Sequence, residues 1–134
     1  MADITKRADL SPSLASQTNT PENQIDGVIG GSEVIDYGDL CYLHSDGTFR
    51  KALYAGGGAN STTVYGIAAN RNRPGKPLTL YKSIVFAYSE DIVPGQKYYL
   101  SAVTAGALSD TPNGKPVAYG GLRGEIHFEA NWDK

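Results

Sequence analysis

One short pattern occurs twice in this chain, over residues 38–49 and again over residues 95–108. Each copy reads Gly, three residues, Tyr-Leu, a polar loop with a second Gly, and then an apolar residue. Adjacent Tyr and Leu favour a strand, whereas a glycine that follows polar residues favours a tight turn. The pattern therefore predicts a β-hairpin unit that is used at least twice. We interpret the unit as scaffold rather than as a place of chemistry.

The chain after residue 25 carries the signals of further strands. Apolar and aromatic runs alternate with Gly, Pro, Asn and Asp, and their spacing predicts about eight to eleven short strands. The best helix candidate is 83–91, yet its Ile-Val-Phe run suits a strand better. The alternation in Glu125–Glu129 predicts a half-exposed strand with His127 on its outer face. The predicted fold class is all-β, a compact β-barrel or β-sandwich of short antiparallel strands.

Residues 1–25 differ in composition from the β-domain that we predict for residues 26–134. They are rich in Ser, Thr, Asn, Gln and Pro, and their large apolar side chains are sparse: Ile4, Leu10 and Leu14. So little apolar surface does not offset the entropy lost when a chain is ordered. Two interpretations remain open. The segment is either a disordered tail or an extended N-terminal arm that orders on a partner, with these three residues as anchors.

Composition argues against several classes of protein. A chain of 134 residues suits one domain with a real core. Its net charge of −2 lacks the basic footprint of a nucleic-acid-binding protein. The single cysteine, Cys41, excludes an internal disulfide and a multi-cysteine zinc site. Neither a signal peptide nor an apolar run of about 20 residues is present, so we expect a soluble protein made in the cytoplasm, with no membrane partner.

The candidate reactive groups do not combine into a site. His44 stands beside Ser45 and Asp46, but neighbours in a turn point in different directions, and a catalytic triad needs a defined geometry. The two histidines, His44 and His127, form a weak metal-ligand set with scattered carboxylates. The glycines at 56–58 lack the lysine and the helix of a phosphate-binding loop. We therefore expect no enzymatic activity, no cofactor and no metal.

Two features are candidate contacts with a partner. Arg71, Arg73 and Lys76 cluster on one predicted turn, which we call the basic tip. It is either an ordinary solvated turn or a surface that docks on an acidic partner. Trp132, the only tryptophan, either covers one end of the core or anchors a neighbouring protein.

A series of short motifs runs in a fixed order through most of residues 1–120. It begins with Met-Ala-Asp-Ile-Thr-Lys and the hairpin of 38–49, and continues with Val-Tyr-Gly-Ile-Ala at 64–68 and Pro-Gly-Lys-Pro at 74–77. The Tyr-Tyr-Leu-Ser-Ala block of 95–106 and Val-Ala-Tyr-Gly at 117–120 complete it. In this order the motifs resemble those of small phage head-decoration proteins, also called capsid cement proteins. Two segments depart from that pattern: residues 10–25 are longer and more polar, and residues 122–134 are more charged.

The resemblance implies a structural virion protein without catalytic residues. It would bind the outer surface of a phage capsid between capsomers and stabilise the head against the pressure of the DNA. Its partner would be the major capsid protein, and a homo-oligomer, with a trimer favoured, would suit local three-fold positions. It would be made in the host cytoplasm and end in the virion. Our candidate capsid contacts are the apolar arm residues, the basic tip and Trp132.

A different class of function stays open. The chain has 9 tyrosines, and sugar rings stack on aromatic faces, so a carbohydrate- or receptor-binding module of a phage tail or virion surface is the alternative. Glycan binding, and exposed tyrosines clustered on one face, would distinguish that alternative from capsid decoration. A small hydrolase would require a nucleophile beside a base, which the sequence does not offer.

Overall fold

Short antiparallel strands form the framework of the protein. The computed structural model describes Ile4 and residues 11–12, 24–55, 62–122 and 124–129. Within these residues the strands are β1 (Ser11–Pro12), β2 (Gln24–Val28), β3 (Leu40–Leu43), β4 (Phe49–Lys51), β5 (Gly66–Ala68), β6 (Pro77–Tyr81), β7 (Ser83–Ala87), β8 (Lys97–Leu100), β9 (Leu108–Ser109), β10 (Ala118–Gly120) and β11 (Glu125–Glu129). A bilayer-spanning helix, long and apolar, does not occur in these parts of the chain.

The strands form two sheets. One has six strands in the order β1-β7-β11-β10-β8-β9, and the other has five in the order β2-β6-β5-β3-β4. Every strand pair in both sheets is antiparallel. The all-β prediction is therefore confirmed, in the form of a β-sandwich. Neither sheet closes into a barrel within the described residues.

The main core lies between the two sheets. Leu40 and Ile67 of the five-stranded sheet pack there with Ile84, Tyr98 and Phe128 of the six-stranded sheet. All five side chains are at most 4% exposed. Burying such side chains contributes about 1.5–3 kcal/mol each, so this layer holds the sheets together.

A second core lies on the opposite face of the five-stranded sheet. Leu40 faces the main core, and its neighbour Cys41 points the other way, since successive side chains of a strand alternate. Cys41 packs there with Phe49, Leu78 and Leu80. This sheet is therefore apolar on both faces, and it curls around its second core.

Glycines permit that curl. A Cβ at Gly66 would lie 2.7 Å from the Leu80 Cβ, and one at Gly27 would lie 2.6 Å from the Phe49 ring. A parallel bridge between Ile29 and Phe49 then brings the two outer strands of the sheet together at one end. A glycine inside a strand often marks a place where a neighbouring strand approaches closely, and Gly66 lies at such a place.

The repeated unit forms a hairpin in each sheet. The first copy contains β3 and β4, and the second contains β8 and β9, as predicted. The first and last glycines of both copies have positive φ: Gly38 82°, Gly47 86°, Gly95 82° and Gly106 82°. Other residues rarely adopt this conformation, which explains why the pattern keeps glycine at these positions. The copies also touch, because the Leu40 N–H donates to the Gly106 carbonyl at 2.9 Å.

Element bounds follow the predictions closely in most places. Within the segment 83–91, Ser83–Ala87 forms the strand β7, and no helix is present. The apolar run of residues 64–68, one of the short strands expected from the sequence pattern, is a regular strand only over Gly66–Ala68. The preceding Tyr65 N–H still donates to the Cys41 carbonyl at 2.8 Å, so the chain runs beside β3 before the regular strand begins.

The described parts of the arm lie on the body of the protein. Ser11 and Pro12 pair with Ala87 and Phe86 at the edge of the six-stranded sheet. The Ile4 N–H donates to the Leu108 carbonyl at 2.8 Å. The second strand, β2, starts at Gln24, two positions before the predicted start of the β-domain.

Candidate functional site: a cleft between arm and basic tip

The basic tip is a turn held by its own backbone and by two asparagines. Gly75, with φ of 83°, donates its N–H to the Ile29 carbonyl at 2.7 Å. The Asn70 Oδ1 accepts the Thr79 N–H at 2.9 Å, and the Asn72 Nδ2 donates to the Pro77 carbonyl at 3.0 Å. Asn72 also forms an isolated antiparallel β-bridge with Ile35. The turn is therefore a fixed platform for its cationic side chains.

The three cations of the tip are exposed to solvent. Arg71, Arg73 and Lys76 are all in the exposed class. Among the described residues, none of the three has a carboxylate within ion-pair distance. Cations on a fixed turn without internal partners are available to a partner's acidic groups, and they steer association at low ionic strength.

The arm residue Ile4 and the tip residue Arg71 line the same cleft. This cleft has a volume of about 380 Å³. Its other walls come from the loops before β3 and between β8 and β9, and from the edge of the main core: Val34, Asp36, Asp39, Lys51, Tyr88, Thr104, Ala105 and Ala107. Ile4 is half-buried and packs against the main core. Two of the predicted contact segments, distant in sequence, therefore meet at one place.

The polar groups of the cleft are organised by internal hydrogen bonds. The Asp36 N–H donates to the Asp39 carboxylate at 2.8 Å, and the Asp36 carboxylate accepts the Tyr37 N–H at 2.8 Å. The Lys51 ammonium lies 3.6 Å from the Glu33 carboxylate. The cleft thus presents both signs of charge around an apolar floor, which suits a protein surface better than a small charged substrate.

Burial changes the acidity of one group near the cleft. The pKa of Tyr37 is raised above its ordinary value, first by burial and then by the nearby Tyr81 phenol. The neutral phenol is therefore favoured at physiological pH. Tyr37 packs against the main core as a partly buried side chain.

The other two cations of the basic tip, Arg73 and Lys76, are not among the residues that line the cleft. Leu10, Leu14 and Trp132 lie outside the described residues, and so do the glycines at 56–58. Sequence reasoning missed Asp36, Asp39 and the 104–107 loop as walls of the cleft, because only the order of the strands brings them together.

His44 and Asp46 stabilise a turn. The Asp46 carboxylate accepts the Thr48 N–H at 3.0 Å and the Arg50 guanidinium N–H at 2.8 Å. Hydrogen bonds from Thr48, with a smaller contribution from Arg50, hold the pKa of Asp46 well below its ordinary value. The Asp46 N–H lies 3.1 Å from the His44 Nδ1, and the Asp46 Oδ1 lies 3.2 Å from the same nitrogen. Both contacts are internal to the turn.

The carboxylates and histidines of the described residues do not gather into a metal site. No group of three or more His, Cys, Asp or Glu residues there could hold a metal ion. His44 follows β3 in the five-stranded sheet, whereas His127 lies on β11 in the other. His127 is half-buried on the outward face of its strand, as the alternation predicted.

Comparisons of the chain with protein-family models, with curated proteins and with solved structures gave no match. The likeness to phage head-decoration proteins therefore depends on the order of the motifs.

Proposed function

We propose that this protein is a structural virion component that binds the outer surface of a phage capsid between capsomers and stabilises the head. Its partner is the major capsid protein. The protein acts as many copies, with a trimer at local three-fold positions favoured. Many weak contacts then add up through multivalency.

The observation that carries the proposal is the shared cleft of Ile4 and Arg71. Ile4 of the arm and Arg71 of the basic tip are both candidate capsid contacts from the sequence, and both line this cleft. A segment of capsid protein that entered this cleft would meet the apolar Ile4 and the exposed guanidinium of Arg71 together. Apolar anchors with a charged rim are the usual composition of a protein interface.

The rigidity of the body also supports the proposal. Each hairpin copy is closed by glycines in the conformation they favour, and the copies are hydrogen-bonded to one another at Gly106. A body held by two cores resists deformation, as a clamp between capsomers must.

The proposal is tested by co-sedimentation with expanded heads of the phage that encodes the chain. We expect saturable binding to these heads and increased resistance of the heads to heat. The double variant Arg73→Glu with Lys76→Glu should weaken binding roughly tenfold or more at low salt, because two attractive charges become repulsive. Lys115→Glu, an exposed charge on another loop, is the control and should change the affinity less than about twofold.

The contribution of the arm needs a separate variant. Deleting residues 1–10 removes Ile4 and keeps β1, whereas a deletion to residue 25 would also cut into β2. We expect the shorter deletion to weaken head binding while the far-ultraviolet circular dichroism stays that of a β-protein. Absence of binding by the intact protein would refute decoration. Full binding by the truncated protein would refute only the role of Ile4 and would leave decoration standing.

A further inference from the structure

The outward face of the six-stranded sheet carries a row of four neighbouring side chains. Tyr119 of β10 is paired with Lys97 of β8 on one side and with His127 of β11 on the other. His127 is in turn paired with Val85 of β7. Directly opposed residues in a sheet have Cβ atoms about 4.5–5.5 Å apart. A cation, a phenol, an imidazole and an aliphatic group therefore stand side by side, facing away from the core.

The two rings of this row are stacked. The centroids of Tyr119 and His127 are 4.9 Å apart, and their planes differ by only 3°. Tyr119 is 52% exposed, whereas the other described tyrosines are buried or half-buried. In a stack, each ring covers one face of the other, so the exposed part of the Tyr119 ring lies between His127 on one side and Lys97 on the other.

A pocket opens beside this stack. It has a volume of about 210 Å³, and its walls include Tyr119, His127, Lys97, Glu129 and Pro116. Lys97 and Glu129 are both exposed, so an ammonium donor and a carboxylate acceptor flank the aromatic surface. The volume is below the roughly 300–1,000 Å³ of sites for drug-sized ligands, so the pocket suits a group the size of one ring.

Gly121 makes this arrangement possible. A Cβ at that position would lie 2.7 Å from the His127 Nε2 and 2.8 Å from its Cδ2. Gly121 is not among the glycines with positive φ, so its backbone does not demand glycine. The glycine is explained by the imidazole that lies over it. A side chain at 121 would displace His127 from the stack.

We propose that this pocket binds one pyranose ring of an uncharged saccharide. The C–H face of a pyranose can pack on the exposed part of the Tyr119 ring, as apolar groups do on aromatic rings. Its hydroxyls each donate and accept, so they can donate to Glu129 and accept from Lys97. Hydrogen bonds to charged groups are the stronger ones.

The charges of the pocket select against other ring-shaped ligands. A nucleotide phosphate would be attracted by Lys97 but repelled by the Glu129 carboxylate in the same wall, so these two formal charges give it no net attraction. An apolar aromatic ligand would cover Lys97 and Glu129 without replacing their hydrogen bonds to water, which costs free energy. The pocket shares no wall residue with the cleft of Ile4 and Arg71. Head binding and saccharide binding can therefore be tested independently.

The test is an amide NMR titration of the full chain with four methyl glycosides: methyl α-glucoside, methyl α-mannoside, methyl α-galactoside and methyl N-acetyl-β-glucosaminide. At least one should give saturable shifts at Lys97, Tyr119, His127 and Glu129, with a dissociation constant roughly in the millimolar range expected for a single ring. Tyr119→Ala should weaken that binding about tenfold or more, since the stacking surface is lost. Tyr119→Phe keeps the surface and should stay within about threefold.

Two further variants complete the design. Gly121→Ala should weaken binding while Tyr119 is intact, because it displaces His127. Val103→Ala changes a side chain that is 86% exposed on another loop and should leave the affinity unchanged. The proposal is overturned if none of the four glycosides gives a saturable shift, or if Tyr119→Ala binds as well as the natural chain. It is equally overturned if adenosine monophosphate shifts the same amides at lower concentration than every glycoside.

Discussion

The adjacent residues Tyr98 and Tyr99 offer a sharp test of how the second hairpin copy is fixed. Tyr98 is 1% exposed, and its hydroxyl accepts the Val93 N–H at 2.9 Å. Tyr99 lies on the opposite, half-exposed face of the same strand. The buried hydroxyl therefore ties the Pro94-Gly95 turn to the main core, whereas its neighbour has no such role.

Replacing each tyrosine by phenylalanine removes only an oxygen. In Tyr98→Phe, the loss of the hydrogen bond should lower the free energy of unfolding by about 0.5–1.5 kcal/mol. The Val93 N–H, left without a partner, would lower it further where water is excluded. Because Val93 is 52% exposed, water can reach that N–H in part, and we expect a total near 1–1.5 kcal/mol. Tyr99→Phe should stay within about 0.5 kcal/mol, as surface changes usually do.

Urea denaturation followed by circular dichroism measures both changes. For a chain of this length, the change expected for Tyr98→Phe corresponds to a fall in melting temperature of about 3–6 °C. Equal costs for the two variants, or a Tyr98→Phe variant as stable as the natural chain, would refute the claim that this hydroxyl fixes the turn. A reduced urea midpoint with an unchanged slope would show that the folded state remains compact.

Three further predictions concern glycines and titratable groups. Gly66→Ala should cost about 2 kcal/mol or more, because its Cβ would lie 2.7 Å from that of Leu80. Gly75→Ala meets no neighbouring atom and is opposed only by a φ of 83°, so it should lower the free energy of unfolding by about 1 kcal/mol. A larger loss for Gly75→Ala than for Gly66→Ala in urea denaturation would contradict the packing argument. The pKa of Asp46 is lowered by folding, so its contribution to stability is complete above the ordinary carboxyl range and is lost as the pH falls through the folded value. The stability difference between the natural chain and Asp46→Asn should therefore shrink towards pH 2, and a constant difference would argue against this linkage. The pKa of Tyr37 is raised by folding, so its contribution is complete below the ordinary value of 10.0 and declines as the pH rises past it. In an absorbance titration, Tyr37→Phe should lack one tyrosine ionisation that the natural chain shows at a pH above the ordinary range. Loss of a tyrosine ionisation within the ordinary range would contradict the raised pKa of Tyr37.

The local elements could be predicted from sequence because their causes are local. The hairpin copies follow from glycines whose positive φ closes each turn. The strand Glu125–Glu129 follows from the alternation of its side chains. In both cases the signal lies within a few residues of the structure that it determines.

The cleft could not be predicted because its causes are non-local. Alternation identifies a strand but does not name its neighbour in a sheet. Ile4, Arg71 and Thr104 meet only because β1 joins the edge of one sheet while the basic tip belongs to the other. The Tyr119–His127 stack could have been predicted, since the glycines at 120, 121 and 124 favour a turn between two short strands that pair with one another.

The placement of the arm also determines when the protein can complete its folding during synthesis. The Ile4 N–H donates to the Leu108 carbonyl, and Ser11 pairs with Ala87, so each contact has to wait until the later residue has been made. A nascent chain emerges from its N-terminus, so the first residues made are among the last to reach their native neighbours. Until Leu108 has left the ribosome, the arm is available to other molecules. A chaperone, a second copy or a capsid segment would meet it in this interval, before the body of its own chain does.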